Sequence, residues 1–384
     1  MGAKDYFFKE EHLAFRDFVR RFVQKEIVPK VVEWEEKGCC DKAIFRRMGE
    51  LGLLGLSYPV EYGGQAADIK MSIVFWEEMC RSGALGFTMG LMVHTDMASP
   101  SLAHVGNESQ KKKYLAGVCS GEMLFAVAMT EPNHGSDMAS IETRAKLEGD
   151  TYRINGTKMF ITNGTQADVV NTVVRTGGAG HKGISLILVD TATPGFSVGR
   201  KLNKMGMLSS DTAELIFEDC LVPKENLLGK EGQGFYALMA GLERERLAGS
   251  ALAYMSAELA LEEAIKYAKQ RIQFGKPILG FQVIQHMIAE MATDLEAGKR
   301  LAYHAASLHD TGIRCNNEVS MAKLFCSEMS LRVIDKAVQI HGGYGFMREY
   351  LVERLYRDAK LTTIGGGTSQ IMKNIIITEM GLRM

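Results

Sequence analysis

Apolar residues recur at two different periods along this chain, and the change of period divides it. Near the N-terminus, Leu13, Phe15, Phe18, Val19 and Phe22 fall close to one face of a helix. Connections follow at GCCD (38–41) and at SYPVEYGGQ (57–65), which carries a proline and a glycine pair. After residue 236 the helical period returns in Leu252, Met255, Leu259, Ala260 and Ala264, and the segments 281–310 and 317–340 repeat it. Long helices of this kind pack most simply as a bundle. The middle is different. ADVVNTVVRT (167–176) and GISLILVD (183–190) are β-branched runs bounded by glycine, and AELIFEDCLVP (213–223) ends at proline. TYRINGTKMFITNG (151–164) combines alternation with two Asn-Gly dipeptides, which predicts a hairpin. The expected plan is a helical domain over 1–122, a β-domain over 123–235 and a helical bundle over 236–384.

Proline placement supports that plan. Seven prolines in 384 residues is about 2% against a usual ~5%. Only Pro277 lies beyond Pro223, so the last third is nearly free of helix breakers. The remaining composition mainly excludes. Hydrophobic residues make up 46% of the chain, which excludes disorder. The 45 basic and 46 acidic side chains leave a net charge of −1, which removes any global field for nucleic acid or a membrane surface. The seven cysteines are loosely spaced without a C-x-x-C, which argues against a disulfide framework or a zinc site. The vicinal Cys39 and Cys40 are expected to be reduced thiols between helices. The charged N-terminus lacks the apolar core of a secretory signal, and no uncharged apolar run is long enough to span a bilayer. A cytoplasmic protein is expected, or a matrix protein after processing.

On patterning alone the polar motifs are modest. LERERL (242–247) is expected to be a solvated helix face. GGAGHKG (177–183) lacks the spacing of a phosphate loop and fits a hairpin tip. MTEPNHGSD (129–137) has a loop composition. His94 and Asp96, two apart, are expected to hydrogen-bond locally. Three glycines in IGGGTSQ (364–370) are harder to dismiss, since each costs about 1 kcal/mol in a helical region relative to alanine. They suggest close approach of the backbone to something.

Taken in order, several segments resemble the acyl-CoA dehydrogenase family over essentially the whole chain. They include KKKYL (111–115), AMTEPNHGSD (128–137), NGTKMFITNG (155–164), RKLNKMGMLSSDTAELIFEDCLVP (200–223), RIQFGKPI (271–278), QIHGGYGF (339–346), RDAK (357–360) and IGGGTSQI (364–371). The resemblance implies a helical domain, a β-barrel-like middle domain and a C-terminal four-helix bundle. It implies FAD held between the last two, completed by a neighbouring subunit of a homotetramer. By motif, Met129, Thr130, Ser136, Phe160 and Thr162 would meet the flavin, with Phe160 where a Trp is commoner. Thr368 and Gln370 would bind the FAD of their own subunit. Arg271, Phe274, Gln339 and Gly343 would reach the FAD of a neighbour.

The implied reaction is α,β-dehydrogenation of an acyl-CoA, with the α-proton going to a carboxylate and the β-hydride to flavin N5. Electron-transfer flavoprotein is the implied acceptor; no nucleic acid or membrane partner is expected. The α-proton is weakly acidic, so donors to the thioester oxygen are needed. The backbone N–H of Gly366 is the expected protein donor, beside Ser136, Gly365 and Arg246 as substrate contacts. Most members carry the catalytic Glu in a Y-E-G-T segment. Here Gly365-Gly366-Gly367-Thr368 has glycine at that place. Long-chain and isovaleryl members share this vacancy and carry a Glu just before an Arg, matching Glu245-Arg246. Glu245 is therefore the expected base, with Glu243 as the competing choice. Moving the base would favour branched, cyclic or longer acyl groups. Thr88 stands where glutaryl-type members keep an Arg, so a dicarboxyl substrate is disfavoured. Asn133 and His134 replace a small pair in the flavin loop. Asp96 falls in the segment lining the acyl cavity. It would bind a polar tail, act as an additional base on an alicyclic acyl group, or face outward as a cap. A non-catalytic flavin-fold binding protein is the alternative from another class.

Overall fold

The computed structural model describes residues 7–382. Among them, the N-terminal region is helical, as its periodicity predicts. Its central helix, Ile69–Cys80, starts where the Asp68 carboxylate accepts the N–H of Met71 at 2.9 Å. Val74, Phe75 and Met79 are fully buried on it, between the Glu10–Phe22 helix and the long Leu242–Gln270 helix. The first and last thirds thus share one hydrophobic core. Two buried carboxylates fasten the contact. Glu77 meets Arg16 at 2.7 Å and the Tyr254 hydroxyl at 2.9 Å, and Glu78 meets Arg20 at 2.8 and 2.9 Å. Buried acids of this kind persist because they are paired.

The middle forms one eight-stranded sheet: β1 (Phe125–Ala128), β2 (Arg144–Glu148), β3 (Thr151–Thr162), β4 (Val169–Arg175), β5 (Ile184–Asp190), β6 (Phe196–Lys201), β7 (Thr212–Pro223) and β8 (Leu227–Leu228). The strand order is β6-β7-β3-β2-β4-β5-β8, with β1 parallel to β4. The expected barrel-like closure is not found. β6 and β8 each pair on one side only. β8 is two residues long, and β6 is exposed over most of its length and ends in Arg200 and Lys201, an edge unsuited to further pairing. The first Asn-Gly is also not a hairpin turn. Asn155 and Gly156 lie inside β3 at a bulge against β7. The real β2–β3 turn is at Gly149, with φ +64°. Gly156 is required for proximity: a Cβ there would stand 2.5 Å from the Thr143 hydroxyl.

The C-terminal region contains the three expected long helices, Leu242–Gln270, Gln282–Asp310 and Asn316–His341. The shorter Ser369–Glu379 helix packs on the last of them and gives the bundle its fourth member. Cys39 and Cys40 lie between the Val31–Lys37 and Ala43–Glu50 helices as free thiols. None of the described helices is long and apolar enough to cross a membrane.

Candidate active site

A cavity of about 1590 Å³ opens where the three regions meet. Single-ligand pockets usually hold roughly 300–1,000 Å³, so there is room for two extended molecules. Glu245 lies in the first turn of the Leu242–Gln270 helix and lines this cavity. It is buried, not solvated as LERERL suggested. Its carboxyl is pushed up to about 7, chiefly by loss of solvent; Arg246 and Lys323 pull it down, and Asp96 pushes it up. Glu243, two residues earlier and so on another face of the helix, instead accepts the N–H of Cys315 at 3.4 Å. The competing choice of base therefore points away from the cavity.

Arg246 is also buried. Its Nη1 donates to Asn316 Oδ1 at 2.7 Å and to Ser320 Oγ at 3.4 Å, while its Nε is buried without a partner among the described residues. Opposite it runs the glycine turn. Gly366 and Gly367 have φ of +63° and +91°, which explains two of the three glycines. The turn ends where Thr368 accepts the Ile371 N–H at 3.2 Å and caps the last helix. Gly365, Gly366 and Thr368 line the cavity.

The β-domain provides the facing wall with Met129, Thr130, Ser136, Phe160 and Thr162. A bulge between Lys158 and Ile161 lets Phe160 adopt φ +62° and leaves its ring 65% exposed. The Met159 N–H donates to Thr130 O at 2.8 Å, which ties the bulge to the MTEPNHGSD loop. Beneath them is a buried pair that sequence inspection missed. Lys158 Nζ meets Glu131 Oε1 at 2.9 Å and Met129 O at 3.1 Å. Glu131 in turn accepts the N–H groups of Glu142 and Thr143 at 2.6 and 2.9 Å. The alternation of β3 places Lys158 inward, and two acceptors compensate the buried cation.

Asp96 sits in a π-helical turn, Val93–Ala98. It is buried, lines the cavity and accepts the Thr95 hydroxyl at 2.7 Å, so the outward-capping option is excluded. Burial pushes its carboxyl up, opposed by Arg244 and the Thr95 hydroxyl. His94 is not its partner: His94 Nδ1 accepts the Phe125 N–H at 3.1 Å. Met89, Val93, Met97, Leu238 and Met239 make this end of the cavity apolar. Thr88 is buried elsewhere, bonded to Ala84 O at 3.2 Å. Asn133 and His134 turn away from the cavity lining.

Five expected FAD residues do not line this cavity. Arg271 and Phe274 lie at a small ribbon (Ile272–Gln273 with Lys276–Pro277), where Phe274 is 93% exposed. The Arg271 guanidinium lies over Tyr344, 5.5 Å from the ring centre, beside the Gly342–Phe346 turn that carries Gly343. Gln339 and Gln370 are exposed on their helices.

The cavity fits a flavin by its own chemistry. An exposed aromatic face at Phe160 and hydroxyls at Thr130 and Thr162 share one wall. Gly135 has open space where a Cβ would project. The fold and this site are those of flavin-dependent oxidoreductases acting on CoA thioesters. Three domain descriptions match in order: "Acyl-CoA dehydrogenase, N-terminal domain" over 9–122, "middle domain" over 126–220 and "C-terminal domain" over 232–381. The chain belongs to the acyl-CoA dehydrogenase family. It is 45% identical to an acyl-CoA dehydrogenase of Bacillus subtilis (strain 168), over 96% of this chain and 97% of that one. It is 40% identical to the mitochondrial long-chain specific acyl-CoA dehydrogenase of Mus musculus, over 97% of this chain and 87% of that one. The crystal structure of an acyl-CoA dehydrogenase from Geobacillus kaustophilus superposes with a TM-score of 0.95 at 42% identity, covering 98% and 99% of the two chains. FAD-dependent dehydrogenation of an acyl-CoA is accordingly the reaction class of this protein.

Proposed function

We propose that Glu245 takes the α-proton of the acyl-CoA. The observation carrying this is a carboxylate buried in the cavity wall, raised to about 7, beside the Gly366 turn. A base with that affinity takes a proton from a weak carbon acid better than an ordinary carboxylate does, yet is still about half ionised at neutral pH. The Gly366 N–H supplies a donor for the thioester oxygen, and Arg246, held by Asn316 and Ser320, adds positive charge near the Cα carbon. FAD, when bound, supplies the hydride acceptor. Met129, Thr130, Ser136, Phe160, Thr162 and Thr368, which line the cavity, hold it from within the subunit. Arg271, Phe274, Gln339 and Gly343 serve a neighbouring subunit of a homotetramer. Their exposure on one patch supports this assignment. The boundaries 1–122, 123–235 and 236–384 are retained as the working domains.

The substrate is a branched, cyclic or longer acyl group. Gly249, one helical turn beyond Glu245, lines the cavity with nothing within 4 Å of a Cβ built on it, which leaves room beside the base. Electron-transfer flavoprotein is the acceptor, supported by a relative named as a subunit of a caffeyl-CoA reductase–Etf complex. The cytoplasm is the working location. The buried, cavity-facing Asp96 favours a second reading, in which it serves as an additional base on an alicyclic acyl-CoA. A panel of straight, branched and alicyclic acyl-CoA thioesters, read by anaerobic bleaching of the flavin absorbance, tests these readings. If no thioester bleaches the flavin, the dehydrogenase assignment fails. If only straight short chains do, the substrate class fails.

A further inference from the structure

Lys323 was singled out by no sequence motif, yet it lies in the cavity wall between the two halves of the proposed chemistry. It stands on the Asn316–His341 helix and is only 3% exposed. Asn316, Ser320 and Lys323 are spaced i, i+4 and i+7, so they form one polar stripe on that helix. The first two hold Arg246. The third donates to the carbonyl of Gly367. Gly365, Gly366 and Gly367 have no side chains by which to anchor their turn. It is tied by the Gly365 N–H to Leu361 O at 2.8 Å on one side, and by the Thr368 cap on the other. Between them, Lys323 is the side chain that grips the glycine backbone.

A neutral donor could satisfy one carbonyl. Burying an ammonium costs far more, unless a charge repays it. The charges acting on it are Arg246, which opposes its own charge, and Glu245, which favours it, both on the Leu242–Gln270 helix; beyond them Glu243 acts on Arg246 and Asp96, on the Val93–Ala98 turn, acts on Glu245. Glu379, at the end of the last helix, is held by Arg314 and Asn316 instead. The glycine turn itself carries no titratable group.

We propose that Lys323 is a positioning residue for α-proton transfer: it fixes the Gly366 N–H through the Gly367 carbonyl and holds positive charge beside Glu245. Once Glu245 has taken the proton, Lys323 and Arg246 remain as two cations facing the negative charge developing on the thioester. The proposal rests on Glu245 being the base.

Its test compares Lys323→Met and Lys323→Arg, with hexadecanoyl-CoA as the first probe and the best thioester of the panel as the second. Lys323→Met should retain its flavin and lower kcat about 10²-fold with KM nearly unchanged. The acid limb of its kcat profile should move to higher pH by about one unit, since a cation that favours the Glu245 carboxylate is gone. Lys323→Arg should return the limb to its original position. An acid limb that does not move in Lys323→Met overturns the proposal. So does a loss confined to melting temperature and flavin content, with kcat per bound flavin unchanged. Should Lys323→Met not fold, Lys323→Gln carries the same comparison. Glu245→Gln separates the two claims: if it still bleaches flavin at the parental rate, the assignment of the base has failed, whatever Lys323 does.

Discussion

Oε1 of Glu245 stands 3.4 Å from the point where a Cβ on Gly366 would project. Two positions more than a hundred residues apart thus converge on one spot in the cavity. A carboxylate could reach that spot from either backbone. The glycine at 366 therefore does more than vacate a site: it leaves clear the space that Glu245 fills. Replacing Glu245 by Gln keeps the shape and removes the base. Turnover should fall about 10³-fold or more, with flavin content unchanged. Anaerobic stopped-flow bleaching measures this directly, and parental bleaching in Glu245→Gln would remove Glu245 from the chemistry.

The convergence also makes the base movable. In Glu245→Gly/Gly366→Glu the carboxylate approaches from the turn. Gly366 has φ +63°, where a side chain costs roughly 1–2 kcal/mol. Recovery should therefore be partial: faster than Glu245→Gly alone, slower than the parent, and shifted in chain-length preference. A double variant no faster than the single one would show that the two positions are not equivalent.

The raised affinity of Glu245 for a proton has a sign for stability as well. Its folded value, about 7, lies above the ordinary 4.5. The folded protein thus holds an extra proton between those values, and the associated stability is lost as pH rises through 7. Glu245→Gln should not show this loss. Relative to the parent, its stability should gain between pH 5 and pH 9, by up to roughly 3 kcal/mol at about 1.4 kcal/mol per unit, and its melting temperature should rise accordingly. Activity runs the opposite way, since the parent needs the ionised carboxylate and should lose kcat as pH falls below 7. Parallel melting curves for the two proteins across this range would contradict the assigned burial.

Much of the plan was legible in the sequence because it depends on period and punctuation. The helical spacing of Leu252 to Ala264 and the single late proline predicted the bundle. What escaped was whatever depended on contacts distant in sequence. Asn155-Gly156 is a good turn signal locally, but β7 pairs across it and Thr143 presses against it, so it became a bulge. LERERL looked solvated because alternation cannot say which face meets the Asn316–His341 helix. Resemblance, not periodicity, pointed to Glu245. Lys158, inside the NGTKMFITNG segment, and Lys323 left no signal of their partners; each is a lysine followed by an apolar run, MFI after Lys158 and LFC after Lys323. That mismatch of a charge within an apolar run is the one clue that could have found them.

The proposed role of Asp96 is tested by comparing substrates. Asp96 lies buried in the cavity wall among Met89, Val93 and Met97, and burial pushes its carboxyl up. If it serves an alicyclic ring, Asp96→Asn should lower turnover of cyclohexanecarboxyl- or cyclohexenecarboxyl-CoA by about 10²-fold or more and leave straight chains nearly unaffected. Product analysis by mass spectrometry distinguishes one dehydrogenation from two. Equal effects on all thioesters would reduce Asp96 to a structural group.

The Lys158–Glu131 pair lies beneath the cavity wall proposed to hold the flavin. Both side chains are buried, and Glu131 holds two backbone N–H groups of the segment leading into β2. Lys158 also holds the carbonyl of Met129, which lines the cavity. Lys158→Met would leave the Glu131 carboxylate buried beside those two donors alone. Breaking such a pair from one side typically costs about 3–5 kcal/mol, so the melting temperature should drop. Flavin retention should drop with it, because the Met129 carbonyl loses its support from below. Removing both charges in Lys158→Met/Glu131→Gln should recover part of the stability, since Gln can still accept from one backbone N–H and no uncompensated charge remains. It should not restore tight flavin binding, because the Met129 carbonyl is still unheld. Absorbance of flavin per protein after gel filtration, read beside thermal melts, separates these two effects. A double variant that retains flavin as the parent does would show that the pair serves stability alone.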